Sequence, residues 1–334
     1  MNNIKKIGLT ALAGSLVAIS AHAAEMTVSG ATLLTYTSED ESEVTGNPMG
    51  MKTNLSFKAS GEVNGYNVSY MQTSKDQFAG MSSARLSVDM GDIGTVAFDQ
   101  GSGSGLGTID DKTPTAAEEI WDGLDTSGKN GALGLVGAAG ASGVFNYINT
   151  FAGVTFNGAA RKGSGTKNTD GSSSAVGQGA WDFALTTDGE MLGVEGLALG
   201  AGYGEKDIGS QSGTTPGDND EHMTVFANYS VGPVTFGYQM SYINSNVHGT
   251  QDQEAKRWGI AFNVNENLSF SYGEREVEFQ KPSATHITEE MEGIAIAYTM
   301  GSIKIAGNQN EGKNMAGVAG VKDSMTEIAV SFAF

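Results

Sequence analysis

Between positions 100 and 142 the chain carries six carboxylates, Asp110, Asp111, Glu118, Glu119, Asp122 and Asp125, against two lysines, Lys112 and Lys129. Basic side chains stand elsewhere, one at a time, in segments where apolar and polar residues alternate: Lys52, Lys58, Arg85, Arg161, Arg257, Arg275 and Lys304. The alternation turns all seven away from the apolar face. Lys52, Lys58 and Arg85 precede the acidic stretch in the chain and are the bases expected to oppose it. Acids on one side of a narrow aqueous gap and bases on the other create a transverse field. Such a field orients dipolar solutes, disfavours apolar ones and sets an ion preference through the excess charge. This is a chemistry of charge and orientation, with no covalent step.

Other motifs do not point to a cofactor or a reaction. Residues 123–129 (GLDTSGK) satisfy the first seven positions of a phosphate-binding loop. The eighth is Asn130, which lacks the magnesium-binding hydroxyl, and no strand-to-helix unit surrounds it. The run 101–107 (GSGSGLG) does not fit G-x-G-x-x-G, and no helix follows. His222, His248 and His286 lie in or beside three separate loops, which does not supply the three or four ligands of a zinc site. No Ser or Asp has a recognisable catalytic partner, so neither a catalytic residue nor an enzyme is expected. Two further loops are acidic: 37–49 with Glu39, Asp40, Glu41 and Glu43, and 205–221 with Glu205, Asp207, Asp218, Asp220 and Glu221. Solvated surface is the simpler reading of both. Calcium is the alternative, since carboxylates suit it, although the spacing matches no EF-hand. No other cofactor is expected.

The whole composition narrows the classes further. In 334 residues there are 38 Asp+Glu, 19 Lys+Arg, 48 Gly, 5 Pro and no Cys, for a net charge of −19. A nucleic-acid partner needs a basic footprint that is missing here. Without cysteine there is no disulfide framework and no thiolate metal site. A hydrophobic content of 39% does not supply repeated spans of about 20 apolar residues for membrane helices. Residues 1–24 read as a secretory signal, with Lys5 and Lys6 as the charged start, Ile7 to Ile19 as the apolar stretch and Ala21, His22 and Ala23 as the cleavage box. Its removal leaves 17 basic against 38 acidic residues, a net charge of −21. Export without cysteine suits a bacterial envelope.

Beyond Ala24 the hydrophobic period is two. Val234, Phe236, Tyr238, Met240 and Tyr242 alternate with Thr235, Gly237, Gln239 and Ser241, and Trp258, Ile260 and Phe262 alternate with Arg257, Gly259 and Ala261. The second set is small or polar, so each strand has one apolar and one wet face. Sixteen such strands are expected: 26–36, 50–60, 65–72, 82–90, 93–99, 143–151, 153–162, 180–187, 194–204, 222–230, 233–244, 256–264, 267–277, 290–299, 302–309 and 324–334. Seven short turns, the first at 61–64, alternate with eight long loops, of which 100–142 is by far the longest. Even strand number and alternating connection length predict an all-β transmembrane antiparallel barrel, because lipid tolerates no open sheet edge. Tyr36, Tyr66, Tyr70, Tyr203, Tyr229, Tyr242, Trp258 and Tyr298 stand at strand ends as interface aromatics. In the last strand Ile328, Val330, Phe332 and Phe334 share the apolar face.

The chain resembles the sixteen-stranded general porins of Gram-negative bacteria, most closely those of the alphaproteobacterial kind. The resemblance spans 25–334 and rests on strand count, loop order, the strand–turn–strand 83–99 (SARLSVDMGDIGTVAFD), the aromatic Phe334 and one outsized third loop. It implies a homotrimer of water-filled barrels in the outer membrane, among lipid and lipopolysaccharide, with the third loop folded into each lumen as a constriction. It also implies passive diffusion of ions and small hydrophilic solutes; the acid excess of loop 100–142 adds a mild cation preference. Two alternatives stay open: a porin that prefers one substrate, and a barrel plugged by its loops that serves as an adhesin or structural element. The enteric loop tip Pro-Glu-Phe-Gly-Gly-Asp is missing; Trp121, Asp122, Gly123, Leu124 and Asp125 stand there instead.

Overall fold

The computed structural model describes residues 25–41, 45–74, 76, 80–100, 105–126, 129–130, 135–140, 142–162, 179–208, 219–246, 252–280 and 285–334. The expected signal, 1–24, lies outside the described residues. The first five strands are β1 (Glu25–Glu41), β2 (Met49–Val63), β3 (Tyr66–Ser74), β4 (Met81–Asp89) and β5 (Thr95–Gln100). A two-residue ladder of β6 (Asp125–Thr126) and β7 (Lys129–Asn130) sits within the long connection that follows. Next come β8 (Ser142–Phe151), β9 (Val154–Arg161), β10 (Ala180–Asp188), β11 (Leu197–Asp207), β12 (Asn219–Val231) and β13 (Val234–Asn244). The last five are β14 (Asp252–Asn263), β15 (Leu268–Gln280), β16 (Ile287–Met300), β17 (Ile303–Lys313) and β18 (Lys322–Ala333).

Apart from the ladder, these strands form one closed antiparallel barrel of sixteen. Each pairs with its neighbours in the chain, β5 with β8 across the ladder, and β18 returns to β1 to close the sheet. The closure continues past the last strand: the Gly30 and Phe334 backbones exchange N–H···O bonds of 2.8 and 3.0 Å. A closed barrel leaves no strand edge unpaired.

Short and long connections alternate around the barrel as the period predicts. The first turn falls later than 61–64: β2 runs to Val63, and Asn64–Gly65, with φ of 53° and 85°, makes the reversal. Positive φ at both central residues matches the twist of the flanking strands, and Asn followed by Gly adopts it at little cost. The fourth short connection extends to Gly196 and holds the 3₁₀ turn Gly189–Leu192.

One face of the wall is an exposed apolar surface that includes Val28, Leu86, Phe145, Val225, Phe236, Ile260, Phe270, Ile294, Ile305 and Ile328. At its loop end the aromatic tips meet carboxylates. The Tyr203 hydroxyl lies 3.0 Å from Glu205 and from Glu221, and the Tyr272 hydroxyl lies 2.6 Å from Glu274 and 3.1 Å from Glu292. An apolar belt edged by such amphipathic rings is the pattern of a membrane interface. The opposite face carries Asn146, Thr224, Gln239, Ser241, Arg257, Arg275 and Asn310, all buried. What buries them is the connection between β5 and β8, and the apolar core of the molecule lies under that connection. Leu106, Ile109 and Val136 pack with Ala184 and Phe226, and Trp121 and Leu124 pack with Met291, Met315 and Met325.

Candidate functional site: an acidic segment seated on the polar wall

The wall beneath the segment is built from side chains too small to obstruct it. Asn228, Gly237, Gly259, Gly273, Gly293 and Asn310 stand side by side in register across β12 to β17. Four adjacent glycines leave a trough, and Pro114 and Ile120 fill it. A Cβ on Gly259 would lie 2.8 Å from the Pro114 carbonyl oxygen, and one on Gly293 would lie 3.0 Å from the Ile120 Cβ. This is close backbone approach, a role for glycine within strands.

The polar residues around the trough satisfy the segment's backbone. Asn228 Nδ2 donates to the Lys112 carbonyl at 2.6 Å, and Gln239 both accepts from Lys112 N–H (2.8 Å) and donates to the Ile109 carbonyl (2.7 Å). Ser271 Oγ accepts from Ala116 N–H at 2.8 Å, while Asn310 Nδ2 donates to the carbonyls of Glu119 (3.0 Å) and Asp122 (2.8 Å). Both ends of the segment converge on Asp182 of β10. Its buried carboxylate accepts from Leu106 N–H at 3.1 Å on one side, and from Ala138 (3.2 Å) and Ala139 (2.7 Å) on the other. A carboxylate binding three buried N–H groups makes charge-assisted bonds, roughly twice as strong as neutral ones.

Seating the segment crowds its acids. Asp111 is pushed up to about 7, first by burial and then by its hydrogen bond to Glu119, although the Arg257 charge acts the other way. Asp110 is also raised by burial, against Arg257. Glu118 and Asp122 form a second group. Desolvation raises both; Asp122 and Glu119 add to the rise at Glu118, and Glu327 and Glu119 add to it at Asp122. Lys52 acts against the rise at both, and Lys304 at Glu118. Hydrated loop carboxylates would hold ordinary values; these do not, because the trough desolvates them.

The expected basic residues separate in space. The Lys52 charge acts on Glu118 and Asp122. Lys58 lines a different cavity with Glu25, Glu62 and Asp89. Arg85 stands opposite Met71 and Asp99 in the strand register. Asp125 lies in the small ladder, and its side chain is outside the described residues. Two further wall bases, Arg257 and Arg275, meet the segment at Trp121. Their guanidinium carbons lie 5.2 and 4.8 Å from the centre of the Trp121 ring. Strand parity had already turned both inward, but nothing in the sequence pairs them with Trp121. His222 accepts a hydrogen bond from Gly137 N–H at 3.3 Å, and His286 Nδ1 lies 2.7 Å from Glu278. Among the described residues no group of three or more His, Asp or Glu is placed to hold a metal ion.

The arrangement has no reacting centre. It is a charged segment seated on the polar face of β12 to β17. The family model for Gram-negative porins matches residues 8–334. The chain belongs to the Gram-negative porin family. It is therefore an outer-membrane channel protein rather than an enzyme. Solved structures share this porin's fold at low sequence identity. A refined porin structure superposes with a TM-score of 0.68 at 12% identity, over 93% of this chain and all of that one. In-vitro folded OmpT of Vibrio cholerae in its trimer form gives 0.67 at 12%, over 93% and 100%. An anion-selective porin from Comamonas acidovorans gives 0.63 at 14%, again over 93% and 100%. No curated protein sequence matches the chain.

Proposed function

We propose that this porin passes ions and small hydrophilic solutes by passive diffusion with a moderate preference for cations, and that segment 100–142 narrows its lumen. The carrying observation is the acid cluster. Asp110, Asp111, Glu118, Glu119 and Asp122 lie on one seated segment with Glu327 of the wall beside them, and Lys52 and Lys304 face only the second group. Contact with Gln239, Ser271 and Asn310 supports a place for the segment on the inner wall, since all three share the polar parity. The net charge of −19 has the same sign. Reversal potentials across planar bilayers under a salt gradient test the reading. Replacing Glu118, Glu119 and Asp122 with Gln or Asn should lower the cation/anion permeability ratio, more at low salt than at 1 M. An anion-selective wild type would mean that Lys52 and its neighbours prevail. A barrel that gives no conductance step is plugged.

The exposed apolar faces of β1 and β18, with Val28, Leu34, Ile328 and Phe332, support assembly as a homotrimer among outer-membrane lipid and lipopolysaccharide. Residues 1–24 serve as a cleaved export signal, and mass spectrometry of protein extracted from outer membranes should find them missing.

A further inference from the structure

The connection between β17 and β18 folds back over the polar face of β15 and β16. Asn314 Nδ2 donates to the Thr288 carbonyl at 2.9 Å, and Ala316 N–H donates to Glu289 Oε2 at 2.6 Å. Glu289 is fully buried. Gly317 packs so close to Phe279 that a Cβ would lie 2.8 Å from its ring. Ala316 itself has a φ of 55°. An alanine in the left-handed region is strained, and it persists only where its surroundings hold it. Here the hold is the Glu289 carboxylate.

The side chain that this connection delivers is Met315. It is 1% exposed and packs with Trp121 and Leu124 of the acidic segment, and Val321 packs against the same cluster. Both side chains lie over Gly312: a Cβ there would meet Met315 Sδ and stand 3.4 Å from Leu124 Cδ1. Methionine fills such irregular gaps well. The turn at 119–124 is therefore gripped from two sides. Asn310 of the wall holds its backbone at Glu119 and Asp122, and the connection holds the side chains of Trp121 and Leu124. Glu118, Glu119 and Asp122 are carried by that turn, and the Lys52 charge acts on Glu118 and Asp122. Charge interactions fall with distance, so the field depends on where the turn stands.

We infer that the β17–β18 connection is a clasp on the acidic segment and that Met315 is its positioning residue: through Trp121 and Leu124 it fixes where Glu118, Glu119 and Asp122 stand along the ion path. This deepens the proposed pore reading and rests on it. With the clasp closed the turn has one position, and each channel has one open level. With Met315 removed, the contact is lost on one side and the turn shifts between positions that conduct differently.

The test combines thiol labelling and single-channel recording of the full-length porin. The chain has no cysteine, so Leu124→Cys introduces a lone probe at a position that is 2% exposed. A methanethiosulfonate reagent should label it slowly while the clasp is intact. Adding Met315→Ala, which empties the contact, should speed labelling about ten-fold or more, whereas Met315→Leu, close in volume, should keep it slow. Glu289→Ala, which strands the Ala316 N–H, should speed it as well. In recordings without the cysteine, Met315→Ala should split each open step into two or more sublevels, and Met315→Leu should restore one level. A merely structural role would lower the urea midpoint of Met315→Ala while the folded channel kept a single level and slow labelling. That result, or labelling equally fast with and without Met315, overturns the inference. Failure of the pore reading looks different: the unmutated chain then gives no conductance step, while the labelling contrast stands.

Discussion

Asp111 belongs to the segment and Asp182 holds it from β10, and their surroundings set the two carboxylates apart. Desolvation and a hydrogen bond to Glu119 push Asp111 up to about 7, so its negative charge is present above that pH and lost below it. Burial raises Asp110, Glu118 and Asp122 as well, which widens the same trend on the acid side. Cation preference should consequently grow as pH rises from 5 to 8, most steeply near 7, and Asp111→Asn should flatten the curve. Reversal potentials measured across that range check it. Stability moves the opposite way. A carboxyl raised in the folded state holds its proton where the unfolded chain has lost it, so its protonation favours folding between about 4 and 7. That contribution fades as pH climbs through the folded value, and Asp111→Asn should remove the decline. Asp182 instead anchors three backbone N–H groups. Asp182→Ala would strand all three and should cost on the order of 3–5 kcal/mol, read as a lower urea midpoint in detergent, with noisier single-channel currents. Asp182→Asn keeps one acceptor oxygen and should cost less.

At the scale of elements, the segment and its trough depend on each other. The trough exists because β13, β14, β15 and β16 each place a glycine at the same height. These glycines weaken their own strands, since glycine loses more backbone entropy on folding and packs no side chain. What they allow is contact between wall and segment at a distance that a Cβ would not permit. Gly259→Leu should lift the segment off the wall toward the pore axis. Single-channel conductance should fall, and overpacking should destabilise the porin by about 1–3 kcal/mol. Unchanged conductance would show that the segment does not rest on that strand. The two-residue turn at Asn64–Gly65 was legible only in kind: the Asn–Gly pair announces a reversal, while its position was settled by β2 and β3 pairing up to Val63 and Tyr66.

At the scale of the whole molecule, a closed sixteen-stranded wall with an apolar outside satisfies the backbone in lipid and leaves the lumen to water. If the proposed cation preference comes from charge, it depends on salt. Screening gives the signature. The Debye length falls from about 8 Å at physiological salt to about 3 Å at 1 M, so the cation preference should shrink as salt rises, while steric exclusion of large solutes stays constant. Assembly has its own readout: the homotrimer should run in mild detergent at about three times the mass of the chain and open in three equal conductance steps. A single step and a monomeric mass would refute it.

The amino-acid sequence by itself determined the wall. Period-two alternation is a local property, so strand count, strand parity and the alternation of short and long connections were all readable from it, and with them the closed barrel. The acidity of segment 100–142 was equally plain. Its partners were not. Lys52 acts on Glu118 and Asp122, while Lys58, equally near along the chain, lines a different cavity, because strand order around a barrel separates residues that parity alone treats as equivalent. Arg257 and Arg275 reach Trp121 across more than a hundred residues of chain. The glycine trough looked like a set of small residues on a wet face until register aligned it. Asp182 gave no signal, since it binds backbone N–H groups, which every residue except proline carries and no side-chain pattern marks. Tertiary structure decided these pairings, because they depend on which strands the closing barrel brings beneath one loop.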